Sequence, residues 1–310
     1  VDRSRDILTA RAVACSWLAA IVALPAVTLL AVIGQGVGSV LGGCRWIGLS
    51  TPVDEQVWAL VNQPTLAFAA RSIAVGYWLG APLVMLLVAL LMVAYVPRPQ
   101  TMAAELLAVQ LAWFAAVYGL AWVPVVDLDD GHLARWLLLR RLPDWLAFVA
   151  PAAGALAALL PSLRLLALVA ATRRAAGRLT RLAAVALHLV LPLAAGVALA
   201  SLVAGRVMPA PLLASLAGPA LALGLAWVGL PRPHVFPLAP VTAAALGRLL
   251  GMGLVLAGLV ALAGRPLPDG RRSGLLWARP TDTNNIRPWV DPIPLLGARP
   301  PEPGGVAPPR

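Results

Sequence analysis

Apolar positions along the chain fall into seven long runs, 12–33, 73–96, 102–123, 146–170, 182–204, 212–230 and 241–263. Each lies near the roughly 20 residues an α-helix needs to cross hydrocarbon. The connectors are short and carry most of the charge. Basic residues lead into the first run, glycines 34, 36, 38, 42 and 43 are expected to close it, PRPQ ends the second, and TRRAAGRLTR separates the fourth from the fifth. Tryptophans 17, 78, 122, 145 and 227 fall near the predicted ends, where indole rings favour the membrane interface, whereas Trp113 lies mid-run and is expected to pack. The expected fold is an all-α, polytopic membrane helix bundle of about seven spans.

One segment does not fit a span. Thr51-Pro52-Val53-Asp54 supplies an N-cap, a proline at the first helical position and an acid three residues after the cap. Val53, Val57, Leu60 and Val61 then share one face, and Pro64 ends the segment. This predicts a short amphipathic helix lying in the interface, with Trp58 at headgroup depth, or packed as a re-entrant element. At the other end, 264–310 is rich in Pro, Gly and Arg and cannot bury enough apolar surface to fold alone. Within it Trp277, Arg287 and Trp289 are candidate docking residues, and the chain beyond Gly297 is expected to be disordered.

Composition sharpens this picture. The 310 residues are 60% hydrophobic and 12% charged, with a mean hydropathy of +0.85, against about 25% charged in a soluble domain. The net charge is +11 and all 24 basic residues are Arg, which reads as codon bias in a GC-rich genome. The arginines sit between apolar runs and form no stripe with stacking aromatics, so anionic lipid headgroups are the expected partner rather than nucleic acid. Another membrane protein is a further possible partner. With seven spans and a cytoplasmic N-terminus, arginines 3, 5, 11, 98, 173, 174, 178, 181 and 232 lie inside and 45, 71, 135, 140, 141 and 206 outside. Arginines 265, 271, 272 and 279 of the tail cancel that difference. The expected location is a cell membrane of the bacterial inner-membrane type. Cys15 and Cys44 stand roughly 40 Å apart if one helix joins them, at about 1.5 Å per residue, too far for a disulfide within one chain.

Few polar groups fall inside the runs. Gln110 and Glu105 lie in the third, Arg164 in the fourth, His188 in the fifth and Arg248 in the seventh. Arg164 and Arg248 are expected to snorkel to the headgroups. Pro192 stands four residues after His188 and has no N–H for the His188 carbonyl, so the fifth run should kink there. The imidazole is then either a gate or ligand site, or one polar residue bonded to a neighbouring helix.

The densest charge is in the connector PVVDLDDGHLARWLLLRRLPDW, residues 124–145. Asp127, Asp130, Gly131, Ala134 and Arg135 read D-x-x-D-G-x-x-A-R, which resembles the first half of the signature of CDP-alcohol phosphatidyltransferases, helical membrane enzymes. The resemblance covers nine residues and implies a divalent cation on Asp127 and Asp130, with Arg135 near the nucleotide or, with His132, at a lipid headgroup. Asp144, Phe148 and Ala152 stand where the family has a Gly and two Asp. The connector also looks like the second metal motif of intramembrane zinc proteases, but histidines 132, 188 and 234 cannot supply the H-E-x-x-H such an enzyme needs. Read without resemblance, it is an acidic interfacial loop in which Asp127 and Asp130 cap a helix at 131–142, or a partner-docking loop.

Three functional readings follow. The leading one is a non-catalytic accessory, anchoring or assembly component without a cofactor. The others are a degenerate metal-dependent lipid headgroup transferase, and a small-molecule permease using the kink at His188.

Overall fold

The computed structural model describes residues 6–42, 45–51, 58–62, 71–94, 101–117, 149–173, 176–204, 209–229, 238–263, 273–276 and 286–287. Helices dominate: α1 (Ala10–Leu41), α2 (Arg71–Ala94), α3 (Met102–Phe114), α4 (Val149–Ala157), α5 (Leu159–Thr172), α6 (Arg178–Val185), α7 (Leu191–Ala204), α8 (Pro209–Val228) and α9 (Ala243–Ala263). Among the described residues, the seven apolar runs fall largely on helix. Two rods are interrupted. Pro161 has no N–H for the Ala157 carbonyl, and α4 gives way to α5 at Ala158, whose carbonyl accepts the Ser162 hydroxyl at 2.7 Å. Between α6 and α7 the chain makes a π turn over Ala186–Val190. Among the described residues, three helical stretches are long and apolar enough to cross a membrane: Ala10–Leu41, Ala152–Thr172 and Arg178–Gly196.

Burial separates a central helix from peripheral ones. Helix α3 is buried on nearly every position, including Leu106, Trp113 and Phe114. By contrast, α2 turns Leu83, Leu87, Leu90 and Leu91 outward at the i, i+4, i+7, i+8 spacing of one helical face. Helix α9 exposes Leu250, Leu254, Val255 and Leu259 over a broader part of its circumference. Such continuous apolar outer faces are unfavourable in water and neutral against acyl chains.

Polar contacts link helix ends in an alternating pattern. Asp6, just before α1, pairs with Arg173 at the end of α5. Arg164 of α5 joins Glu105 at the start of α3 to Met92 and Val93 at the end of α2. Arg181 at the start of α6 reaches Ala226 at the end of α8. The Met102 N–H at the start of α3 donates to Ala239, just before α9. One end of the bundle therefore gathers the starts of α1, α3, α6 and α9 and the ends of α2, α5 and α8.

The other end carries a sheet where an amphipathic helix and an all-α fold are expected. Strands β1 (Arg45–Thr51) and β2 (Trp58–Asn62) form an antiparallel pair with a register shift between Trp46 and Gly48. The tail contributes β3 (Ser273–Leu276) beside β1 and β4 (Ile286–Arg287) beside β2, giving the order β3-β1-β2-β4. The expectation of a helix fails at 58–62, while residues 52–57 lie outside those described. Its physical reason is non-local: the capping signals at 51–54 and the apolar spacing fit a helix locally, but residues 58–62 pair with β1, and Val61 and Asn62 pair with β4 as well.

Helix α1 runs past Gly34, Gly36 and Gly38 but ends at Leu41, with Gly42 as its C-cap, one of the glycines expected to close it. Gly34 and Gly80 let the backbones of α1 and α2 touch, since a Cβ on either would overlap the other's carbonyl oxygen. A Cβ on Gly36 would strike the Trp46 indole, whose Nε1 donates to the Gly48 carbonyl at 2.7 Å. Small residues cost helix propensity but allow close approach, which is what holds helices together where lipid removes the hydrophobic drive. At 32 residues and about 1.5 Å each, α1 is about 48 Å long and exceeds the hydrocarbon thickness. Its last turns thus serve as the post on which the sheet stands.

Gly80→Val should lower the melting temperature in detergent by separating α1 from α2, with an overpacking cost of about 1–3 kcal/mol. Gly247→Ala, where an added Cβ meets nothing within 4 Å, should keep the melting temperature or raise it slightly through better helix propensity.

Candidate functional site

The central helix carries two polar positions inside the bundle, and the structure builds a junction on each. The deeper one surrounds Gln110. Pro192 leaves the His188 carbonyl without the N–H one α-turn ahead, and the backbone widens into the π turn that contains His188. That carbonyl accepts Gln110 Nε2 from α3 at 2.5 Å and the Ser16 hydroxyl from α1 at 3.4 Å. Gln110 Nε2 also lies 2.8 Å from Ser16 Oγ. The imidazole extends toward the beginning of α1, with Nε2 at 3.1 Å from the Ile7 carbonyl. A carbonyl only accepts, so this contact places the ring hydrogen on Nε2 in neutral His188 and leaves Nδ1 an acceptor. Three helical rods are pinned at one residue.

The junction is not fully satisfied. Gln110 Oε1, Trp113 Nε1 and His188 Nδ1 are buried without a hydrogen-bond partner among the described residues. Gln110 and Trp113 stand at i and i+3 on α3, hence on neighbouring positions of one face. Each is a buried donor or acceptor that a polar partner would satisfy.

The second junction is ionic. Arg164 faces Glu105 with two nitrogens, Nε to Oε1 and Nη2 to Oε2 at 2.8 Å. Its Nη1 donates to the carbonyls of Met92 at 2.6 Å and Val93 at 3.2 Å. The guanidinium thus neutralises one helix start and caps another helix end, whose last carbonyls have no N–H within α2. With side chains 15% and 10% exposed, the pair is held inside the protein. Arg164 therefore does not snorkel as expected, because a carboxylate and two carbonyls meet it within the bundle.

Outside the spans, Asp6 shapes the entry to α1. Its Oδ1 accepts the Leu8 N–H at 3.0 Å, and Thr9 caps the helix by accepting from the Ala12 N–H at 3.3 Å. Arg173 donates Nη2 to Asp6 Oδ2 at 2.6 Å and Nε to both carboxylate oxygens. These hydrogen bonds hold the Asp6 carboxyl below the usual carboxylate range, outweighing the opposing effect of burial.

The remaining expected positions divide sharply. His188 and Gln110 come together. Arg248 is exposed on α9. Arg287 lies in β4, its backbone paired with Val61. Asp127, Asp130, His132, Arg135, Trp277 and Trp289 lie outside the described residues, as does Cys44. Cys15 is free and buried. Among the described residues no three His, Cys, Asp or Glu side chains gather closely enough to hold a metal ion. Sequence reasoning missed Ser16 and the role of Asp6. A lone serine inside the first apolar run carries no signal of its partner 172 positions away.

Gln110→Leu should strand the His188 carbonyl with only the weaker Ser16 contact and cost about 1–2 kcal/mol of stability in micelles. Pro192→Ala restores an N–H near that carbonyl, so Gln110→Leu should cost measurably less in that background. A double-mutant cycle of thermal unfolding reads the difference. The Asp6 contribution follows its lowered folded pKa. It is fully present above the unfolded value of 3.8 and is lost as pH falls through the lower folded value. Between about pH 5 and pH 2 the wild type should therefore lose more melting temperature than Asp6→Asn, and salt should narrow the gap because the pair is partly exposed.

Comparison of the chain with protein-family models, with characterised proteins and with solved structures finds no match.

Proposed function

We propose that the chain is a seven-span membrane protein with a non-catalytic role, an anchoring or assembly component that holds an extramembrane sheet on a rigid helical stem. The observation that carries this reading is how the buried polar side chains of α3 are used. Gln110 and Glu105 bond to groups on other rods, and each fastens three helical elements together. Such chemistry favours a fixed scaffold over a moving or reacting site.

The span count rests on the alternation of helix ends. Starts and ends of successive rods alternate at the end opposite the sheet. Because β3 follows the last rod and pairs with β1, which follows the first, those two rods finish on the same side, as an odd number of crossings requires. The arginines around 173–181 then face the cytoplasm under the positive-inside rule, and the sheet faces the opposite side. Its short outer strands, four and two residues long, leave backbone edges to which a partner strand could add.

Reporter fusions test the topology. Fusions at 43–44 and 264–270 should report one side, and fusions at 95–100, 174–175 and 231–237 the other. A tail-deleted chain lacking 264–310 should still insert yet leave the larger assembly that the full chain forms in native membranes. If the full chain is monomeric there, or if Asp127→Asn with Asp130→Asn abolishes its cellular role while tail deletion is silent, the anchoring reading is wrong. The latter outcome would favour the metal-dependent transferase.

A further inference from the structure

The start of α6 meets the end of α8 in an arrangement that its packing role does not exhaust. Arg178 and Arg181 stand at i and i+3, so both side chains lie on one helical face, and both reach the last turn of α8. The Arg178 guanidinium sits 5.2 Å from the centroid of the Trp227 ring, within cation–π range. Arg181 Nε donates to the Ala226 carbonyl at 2.9 Å. Its two terminal nitrogens lie 3.0 Å from where a Cβ on Gly229 would stand. Only glycine fits there, both for that reason and because its φ is +81°. The chain thus gives up a side chain at 229 and leaves Arg181 against the backbone.

Each guanidinium thus rests on the last turn of α8 with donors to spare. A guanidinium offers five N–H groups; Arg181 commits one to Ala226, and neither arginine has a carboxylate partner among the described residues. Around them the surface is greasy rather than polar. Leu179 is 81% exposed, Val228 80% and Trp227 54%. Fixed positive charge beside an exposed indole and two of the most exposed aliphatic side chains matches one chemistry, an anionic headgroup whose acyl chains begin at the same depth.

We propose that Arg178, Arg181 and Trp227 form a binding site for the phosphate of an anionic phospholipid, with Leu179 and Val228 against its upper acyl carbons. The site rests on the reading that the bundle spans a membrane. It differs from general attraction to a negative surface because the arginines are oriented by Trp227 and Ala226 before a lipid arrives.

The test uses the full chain reconstituted in nanodiscs of phosphatidylcholine with a minor fraction of phosphatidylglycerol, with phosphatidylglycerol co-purifying in mild detergent measured by native mass spectrometry. Arg178→Gln and Arg181→Gln should each reduce retention about fivefold, the effect of one basic residue at a membrane surface. Arg45→Gln, an exposed arginine in β1 at the opposite end of the bundle, should leave it unchanged. Because Arg181 also caps α8, Arg178→Gln and Trp227→Leu, which alter exposed side chains, decide the matter if Arg181→Gln unfolds. Equal retention by wild type and Arg178→Gln would overturn the site, as would displacement of the lipid by millimolar inorganic phosphate, which would assign the arginines to a free anion. A chain that inserts into pure phosphatidylcholine yet shows no anionic preference sinks only this site. A chain that fails to float with any vesicle sinks the membrane reading beneath it.

Discussion

The structure depends on one constraint: a backbone carbonyl that has lost its own helix's N–H must be met by something else where water is absent. An unsatisfied peptide group in hydrocarbon costs several kcal/mol, more than most single contacts return. This chain creates such carbonyls with Pro192 and at the ends of α2 and α8, and it meets them with side chains of other helices. Gln110 and Ser16 serve His188, Arg164 serves Met92 and Val93, and Arg181 serves Ala226. His188 in turn donates to the Ile7 carbonyl. Because donor and acceptor belong to different rods, satisfying the backbone and assembling the bundle are one event.

The second means of assembly is steric. Helices in lipid gain little from burying leucine against leucine, since acyl chains are as apolar. What remains is close packing, and it is concentrated where side chains are smallest. Gly34 against Gly80 brings two backbones together, and Gly218 leaves room for the side chains of Val117 and Ala158. Glycines 247 and 251, with nothing near an added Cβ, lie on the outward helix α9. The carbonyl bonds fix which rods meet and at what height, and the glycines fix how near they come. Neither would suffice alone: hydrogen bonds between loosely packed helices leave cavities, and close packing without polar pins leaves the register free to slide.

This division explains what could be read in advance. The rods were legible because apolar run length is a local property, and so was the freeing of the His188 carbonyl, which needs only the spacing to Pro192. The partners of that carbonyl were not, since Ser16 and Gln110 are related to His188 only through the fold. Arg164 shows the same limit. Its sequence neighbourhood says that a cation sits in an apolar run, and snorkelling is the generic outcome. Glu105, 59 positions away, changes the result. The segment at 58–62 is the clearest failure. Its helical capping box and spacing are real, yet backbone pairing to a strand more than 200 residues along the chain, Val61 with Arg287, outweighs propensities worth only tenths of a kcal/mol per residue.

The sheet raises a further consequence of the same constraint. Strands β1 and β2 alone would be a two-stranded hairpin, which is marginal in water, and both of its edges would be open. The tail closes both. In doing so it ties the end of the last rod to the end of the first, adding to the direct packing of α9 on α1. Helix α1 is then the element on which both halves converge: it packs on α2, α3 and α9, meets the π turn at Ser16, and supports the sheet with its final turns. A first helix enclosed by α9 and by a sheet that includes β3 and β4 cannot complete its native contacts until those later segments have been made. The early rods are therefore held in the interim by what forms locally, the α1–α2 glycine contact and the capped start of α1, while the Gln110 and Arg164 junctions close only as the later helices arrive.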